Sequence, residues 1–260
     1  MEHFINIHKE LCIGCAACVK DCPQANIEIK EQCAIILDQD CMKCGHCVSI
    51  CPKNAVEIEG FDLSQIVERN AQPPLERDAL LHAIKSRRSI RQFKKKEIDE
   101  QVLNYIIEAG RFTPTAKNAQ GVSYIIVQNE IQEVEAIAVK LLRKLWPFAS
   151  LYSKSAKHMT PDAHFFFKQA PVAILVVAKG SFKKVDGSLA ASNMAWMAEA
   201  QGLGVLYSGF FTIASNMSFA LRKKLGLQRK EKVIMTLVLG VPNVNYHRSA
   251  PKKPAKVRYL

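Results

Sequence analysis

Apolar residues along this chain fall into two regimes. Over the first sixty positions they come in short bursts, the clearest being Ile27-Glu-Ile29 and Val56-Glu-Ile58. Apolar side chains alternating with a polar one have the two-residue period of a strand. Beyond position 75 the bursts lengthen. Leu75–Arg88 and Asp99–Arg111 read as helices and Val122–Gln128 as a strand. Ile131, Val134, Ile137, Ala138 and Leu141 recur at spacings of three and four, so Ile131–Leu145 reads as a helix with one apolar face. Val172–Ala178 is apolar at every position, as a buried strand is. Ser188–Gly202 reads as a mostly apolar, buried helix, Ile213–Leu225 as an amphipathic helix, and Val233–Leu239 as another strand. Phe61–Pro74 reads as a helix and linker, with Ile66 and Val67 as its apolar points and Pro73-Pro74 as its stop. The tail from Asn245 is basic, and Pro251 and Pro254 keep it extended. The pattern predicts an α+β or α/β chain, with a small part over residues 1–60, a linker over 61–76, and a larger body over 77–260 built on a central sheet.

The two short strands lie 29 residues apart, and a larger repeat runs with them. Cys12-Ile-Gly-Cys-Ala-Ala-Cys-Val-Lys-Asp-Cys-Pro23 is followed 29 positions later by Cys41-Met-Lys-Cys-Gly-His-Cys-Val-Ser-Ile-Cys-Pro52. A two-residue spacer lets successive thiolates converge on one compact object from a tight turn. Gly14 and Gly45 fall in those turns, where a side chain would crowd the bound object. Pro23 and Pro52 stop any helix from continuing. Zinc sites use paired C-x2-C motifs rather than two triplets each trailed by Cys-Pro. A disulfide framework needs an exported chain, and residues 1–11 carry no long apolar run. The spacing resembles the cysteine run of bacterial ferredoxins, which binds cubane iron–sulfur clusters. In that family the fourth cysteine of each run ligates the other cluster. The resemblance therefore assigns Cys12, Cys15, Cys18 and Cys51 to one [4Fe-4S] cluster, and Cys41, Cys44, Cys47 and Cys22 to a second. A duplicated half-domain of this size makes little core of its own, so the clusters supply much of its order. Cys33 matches nothing in the repeat and reads as a small strand residue.

The formal charge is +12, unevenly spread. Residues 1–60 hold 5 Lys/Arg against 9 Asp/Glu, a net of −4, which leaves +16 on residues 61–260. An acidic module thus precedes a basic body. The longest apolar run, Ala170–Ala178, is far shorter than a membrane helix needs. No zinc finger, aromatic RNA motif or helix-turn-helix signature accompanies the positive charge, which reads as solvated surface. The expectation is a cytoplasmic chain with neither a membrane nor a nucleic acid as partner.

Lys85-Ser-Arg-Arg-Ser-Ile-Arg-Gln-Phe93 groups three arginines and two serines at a helix end. Guanidinium forks and hydroxyls suit phosphate oxygens, although such a segment alone also reads as a solvated basic helix end. It is not alone. Arg87–Phe93 resembles the opening motif of the nitroreductase family of flavin enzymes. Arg111-Phe-Thr-Pro-Thr-Ala-Lys-Asn-Ala-Gln120 resembles that family's second motif, and Asn193–Gly204 its buried helix ending in Gly-Leu-Gly. Leu239-Gly-Val-Pro242 with the basic tail resembles its last strand and C-terminal segment. The four follow family order across residues 77–260, so the whole chain looks like a ferredoxin–nitroreductase fusion. That likeness refines the fold class to α+β: a small duplicated ferredoxin-like iron–sulfur domain followed by a nitroreductase-like α/β sandwich with a central sheet.

The resemblance implies flavin mononucleotide (FMN) at the interface of a homodimer. Arg87, Ser89 and Arg91 are implied to hold its phosphate, with Arg88 beside them. Asn118 is implied to bond the flavin ring, and Gln120 to lie near the ribityl chain or ring. Ser208-Gly209 aligns with the turn facing flavin N5, and Lys252 or Arg248 with the late basic residue that closes on the phosphate. The chain departs from the family at Gly121-Val122, where many members have Pro-Trp, and at Ser208, where an acidic residue is usual. Residues 146–169, with Trp146, Phe148, Tyr152, His158, His164 and Phe165-Phe-Phe167, read equally as a lid over the flavin or as core and dimer packing. His158 and His164 read as ordinary surface or lid residues rather than metal ligands.

The expected activity is that of an iron–sulfur flavoprotein oxidoreductase. Electrons would come from reduced ferredoxin, flavodoxin or NAD(P)H, cross two clusters to FMN, and leave on a small organic acceptor such as a nitroaromatic or quinone. No side chain is nominated as catalytic. The rival is a non-enzymatic electron-transfer protein that relays charge to a protein partner. Anaerobically purified protein is expected to carry roughly eight irons per chain, four for each cubane. Zinc in their place, or iron for only one cluster in fully loaded protein, would refute the doubled site. Cys33→Ser is expected to leave the iron content unchanged.

Overall fold

A computed structural model describes residues 5–37, 41–68, 75–152 and 161–260, with 148–152 described in backbone only. The chain divides into two units, Met1–Pro74 with Lys117–Ala119, and Leu75–Ala116 with Gln120–Leu260.

In the first unit β1 (Ile5–Ile7) pairs antiparallel with β4 (Val56–Ile58), and β2 (Ile27–Lys30) with β3 (Cys33–Ile36). Two short helices, α1 (Ala17–Asp21) and α2 (His46–Ile50), occupy equivalent places in the two cysteine runs. The duplication reaches the backbone. Left-handed φ recurs at Gly14 and Lys43, at Ala16 and Gly45, and at Ala25 and Asn54, each pair 29 positions apart. Each half thus uses the same turns but places glycine at only one of its first two strained positions. At Gly14 the glycine is required, because a Cβ would stand 2.5 Å from the Gln32 carbonyl oxygen. The close atoms belong to the turn between β2 and β3. Cys22 and Cys51 end the helices with extended backbone, at ψ 112° and 115°. Each precedes a proline, which disfavours helical dihedrals at the residue before it. The buried core is Ile5, Ile27, Ala34, Val56 and Ile58 together with Cys18 and Cys47.

Among the described residues of the helix expected from Phe61, Leu63–Gln65 form a 3-10 turn, capped by Asp62, whose carboxylate accepts the Ser64 N–H at 3.0 Å. Ile66 and Val67 are 52% and 78% exposed, so they form no buried face to hold a longer helix. Pro73-Pro74 lies outside the described residues.

The second unit is a four-stranded antiparallel sheet between two helical layers. Its order is β5 (Val122–Val127), β6 (Val172–Ala178), β8 (Lys232–Gly240), β7 (Gly204–Tyr207). All seven residues of β6 are buried, which explains its unbroken apolar run. Ala173, Leu175 and Val177 face one layer, formed by α5 (Ile131–Tyr152), α7 (Gly209–Met217), α8 (Phe219–Lys224) and Phe165–Phe167. Val172, Ile174 and Val176 face the other, formed by α4 (Glu100–Arg111) and α6 (Lys183–Ala200). Ala190, Ala191, Met194, Ala195 and Ala198 line the inner side of α6, small enough for close packing on the sheet. The single helix expected over Ile213–Leu225 is two. Ser218 breaks it with extended backbone and then caps α8 by accepting the Leu221 N–H. Among the described residues no helix is long and apolar enough to cross a membrane.

The helix α3 (Arg77–Ser86) stops two residues before the expected Arg88. From Arg87 the chain turns extended and lies along the sheet. Ser89 bridges Val205 and Phe93 bridges Pro242. The Ile90 N–H donates to the Val205 carbonyl at 3.1 Å, and the Lys94 N–H to that of Val241 at 2.8 Å. Ile90 and Phe93 are buried, while Arg91 is exposed. A Cβ on Gly204 would approach Ile90 to 2.5 Å, and one on Gly240 would approach Phe93 to 2.7 Å. The two glycines let the arginine-bearing segment dock this closely.

Gly204→Ala is therefore expected to overpack the contact and cost about 1–3 kcal/mol. Ile90→Ala alone is expected to cost about 2–5 kcal/mol through its cavity. The double variant should cost clearly less than the two together, because each change relieves the other. Additive losses in denaturant unfolding would show that the close approach is not what Gly204 serves.

Candidate functional site

Two cavities in the first unit gather the eight repeat cysteines. Cys12, Cys15, Cys18 and Cys51 line one, and Cys22, Cys41, Cys44 and Cys47 line the other. Each holds three cysteines of one run and the fourth of the other run. The empty volumes are about 370 and 360 Å³, mouths included. Among the described residues no three His, Cys, Asp or Glu side chains converge as ligands of a lone ion do. The thiols surround volumes, which is what a cubane with one thiolate on each iron requires.

Backbone amides point at several of these sulfurs. Asn26 N–H donates to Cys22 Sγ at 3.3 Å and Ala55 N–H to Cys51 Sγ at 3.2 Å, a pair related by the repeat. Ala34 N–H donates to Cys12 Sγ at 3.4 Å and Lys43 N–H to Cys41 Sγ at 3.3 Å. The Ala34 amide, with that of Gly14, draws the Cys12 thiol below the usual range. Burial pushes Cys18 up, and pushes Cys47 up to about 11. Cys33, outside the repeat, lies beside Cys12 and donates its thiol to the Ala34 carbonyl at 3.4 Å.

In the second unit a pocket of about 900 Å³, including its open mouth, brings Arg91 together with Ser208 and Gly209. Leu206 and Tyr207 at the end of β7, Phe165 and Phe166, and Lys168 complete most of its wall. The sequence places Arg91, Ser208 and Gly209 at a flavin, but Lys168 escapes it, because no motif surrounds that lysine. Ser208 is buried, and its hydroxyl donates to the Phe166 carbonyl at 3.0 Å. Gly209 opens α7.

Arg87 is half-buried. Its guanidinium carbon lies 5.7 Å from the Trp196 ring centre and 5.5 Å from that of Tyr207, the latter a wall residue of the pocket. Arg87 Nη1 is buried without a hydrogen-bond partner. Burial raises the nearby Glu199 carboxyl, and Arg87 partly offsets that rise. Glu199 Oε2 is likewise buried without a hydrogen-bond partner; a phosphate oxygen is one acceptor that fits the guanidinium. Arg88 and Ser89 are half-buried on the same segment.

The 113–120 loop is fastened to α6. Asp186 accepts the Ala116 N–H at 3.0 Å, and Asn193 donates to Thr113 Oγ1 at 2.7 Å. Asn118 and Gln120 both take left-handed φ, and the Gln120 N–H is held by Thr115 Oγ1 at 2.9 Å. Neither lines the pocket, and neither do Arg248 and Lys252, which are exposed on the tail. Phe165–Phe167 belong to the core, with Phe167 packed 4.6 Å from Phe211, ring centre to ring centre. Buried Glu135 fixes them by accepting the N–H groups of Phe166 and Phe167 at 2.9 and 2.7 Å. Phe165 and Phe166 thus both pack in the core and line the pocket. His158 lies outside the described residues, and His164 sits 3.7 Å from Glu135.

Residues 84–241 match the Nitroreductase family, and residues 4–52 match a 4Fe-4S dicluster domain. The chain belongs to the nitroreductase family and carries an N-terminal 4Fe-4S dicluster domain; it is an oxidoreductase. A Methanothermobacter thermautotrophicus protein with the provisional name NADH dehydrogenase/NAD(P)H nitroreductase is 26% identical over 175 residues, 64% of this chain and 78% of that one. A Bacteroides fragilis nitroreductase solved with bound FMN aligns at TM-score 0.59 and 21% identity, over 70% of this chain and 98% of its own. A Desulfitobacterium hafniense nitroreductase with bound FMN aligns at TM-score 0.57 and 23% identity, over 68% and 97%. At these identities the structures establish a shared fold.

Proposed function

We propose that this chain passes electrons from a low-potential donor, through two [4Fe-4S] clusters and FMN, to a small organic acceptor such as a nitroaromatic or quinone. The observation that carries the reading is that one chain contains two four-thiol cavities and a pocket joining Arg91 to the Ser208-Gly209 turn. FMN in the solved relatives supports the choice of flavin. When bound, the clusters supply single electrons and FMN exchanges one or two. The chain's own residues do the rest. The eight repeat cysteines ligate iron, and backbone amides steady their sulfurs. Arg87, Arg88, Ser89 and Arg91 hold the phosphate end, with Lys252 or Arg248 from the tail. Asn118, Gln120, Ser208 and Gly209 orient the ring. We assign residues 1–60 to the cluster domain, 61–76 to the linker and 77–260 to the flavin domain, which works as a cytoplasmic homodimer with FMN at its interface. Reduced ferredoxin, flavodoxin or NAD(P)H serves as donor, the last supported by the name of the Methanothermobacter relative.

Arg87→Ala and Arg91→Ala are each expected to remove charge-assisted contacts of about 1.5–3 kcal/mol. FMN binding should weaken roughly ten- to a hundredfold. Unchanged affinity in both variants, or flavin adenine dinucleotide in the purified protein, would overturn the assignment.

A truncated chain beginning at Leu75 is expected to bind FMN and dimerise. Dithionite should reduce it normally, but reduced ferredoxin only slowly, because fusion holds donor and acceptor at high effective concentration. Stopped-flow reduction by ferredoxin as fast as in the full chain would mean that the clusters are not the route in.

A further inference from the structure

The pocket that joins Arg91 to Ser208-Gly209 contains a second cation. Lys168 follows the buried phenylalanine run in a left-handed conformation, φ 54°, and its N–H donates to the His164 carbonyl at 2.9 Å. Its ammonium lies 5.0 Å from the Phe165 ring centre. Among the described residues neither Lys168 nor Arg91 takes part in an ion pair. No Asp or Glu lines the pocket. The positive end of α7 adds to the same field, since that nine-residue helix starts at Gly209 in the pocket wall. Most of the remaining wall is apolar.

We infer that Lys168 sets the charge preference of this pocket. With the start of α7 it favours a bound flavin in its negatively charged, reduced state and so raises the midpoint potential, while Arg91 answers the phosphate. The inference rests on the FMN reading above. Oxidised flavin that takes up two electrons and one proton ends with one more negative charge on the ring. The electrons come from the low-potential donor and the proton from water. A lysine and a helix start beside the ring, with no carboxylate in the pocket wall, stabilise that product more than the neutral ring.

The test uses the full chain with Lys168→Met, which keeps the apolar stem and removes the charge, and Lys168→Arg, which keeps the charge. Lys168→Gln repeats the neutralisation should the methionine chain misfold. Anaerobic redox titration, followed in the flavin bands, reads the midpoint, and fluorescence titration reads FMN and riboflavin affinity. Neutralisation is expected to lower the affinity ratio of reduced to oxidised flavin roughly tenfold, about 30 mV for a two-electron couple. The arginine variant should stay close to wild type. An unmoved midpoint in a neutral variant that still binds FMN overturns the inference. Loss of FMN affinity with riboflavin affinity intact also overturns it, because Lys168 would then be a phosphate ligand. A wild-type chain that takes up no flavin sinks the FMN reading itself, and this inference with it, a failure visible before any variant is made.

Discussion

The backbone pairing of Ser89–Phe93 with β7 and the end of β8 is the contact on which the second unit's chemistry depends. It places an arginine-rich stretch beside the strand that ends at Ser208-Gly209. Two hydrogen bonds hold it, Ile90 N–H to Val205 and Lys94 N–H to Val241. They form only because Gly204 and Gly240 leave room for Ile90 and Phe93. Apolar Ile90 and Phe93 are buried, and exposed Arg91 between them lines the pocket. A motif that resembles a phosphate loop in sequence is thus, in physical terms, an added edge of the sheet. The Gly-Leu-Gly at the end of α6 serves that docking as much as it serves helix termination.

A different constraint governs the first unit. Its core holds five aliphatic residues and two of the cysteines themselves, too little apolar area to stabilise sixty residues strongly. The proline after each fourth cysteine swings that thiol out of its own helix. Each fourth cysteine lines the cavity of the other run, so each cavity draws ligands from both halves of the repeat. Occupied cavities would tie the two halves together at two places, and ligand binding and folding become one process.

The repeat and most strands and helices were legible because each rests on local spacing, while the two cysteine sets and the sandwich came from the family resemblance. β6 announced itself as doubly covered by seven apolar residues in a row, and α5 by its apolar face. What was not legible depends on contacts distant in sequence. The docking of residues 87–93 on β7 needs Gly204, more than a hundred positions away. Ser218 reads as one more polar residue on a helix until its capping bond to Leu221 is seen. The expected helix after Phe61 failed because periodicity suggests a face but not whether anything covers it. Lys168 stood outside every motif, and Glu199 was masked by its apolar neighbours on α6. Their roles come from what the fold sets beside them, a pocket wall in one case and a buried guanidinium in the other.

A cluster or a flavin that takes up electrons brings negative charge, and the two units differ in what they would set against it. Residues 1–60 are acidic, with 9 Asp/Glu against 5 Lys/Arg, and the described amide-to-sulfur bonds there come from backbone. Peptide dipoles serve there because they add no net charge to a small domain and move little when the thiolates are neutral or loaded. The second unit is strongly basic and uses whole cations, Arg87 against aromatic rings and Arg91 and Lys168 in the pocket wall. Burying such cations is costly unless an anion compensates them. Arg87 shows the cost most clearly. Its one described acidic neighbour, Glu199, itself resists ionisation because it is buried, and one guanidinium nitrogen is left with no acceptor. A surface designed only for solubility would not hold a charge in that condition. On the proposed reading, a phosphate would complete a set of donors already in place.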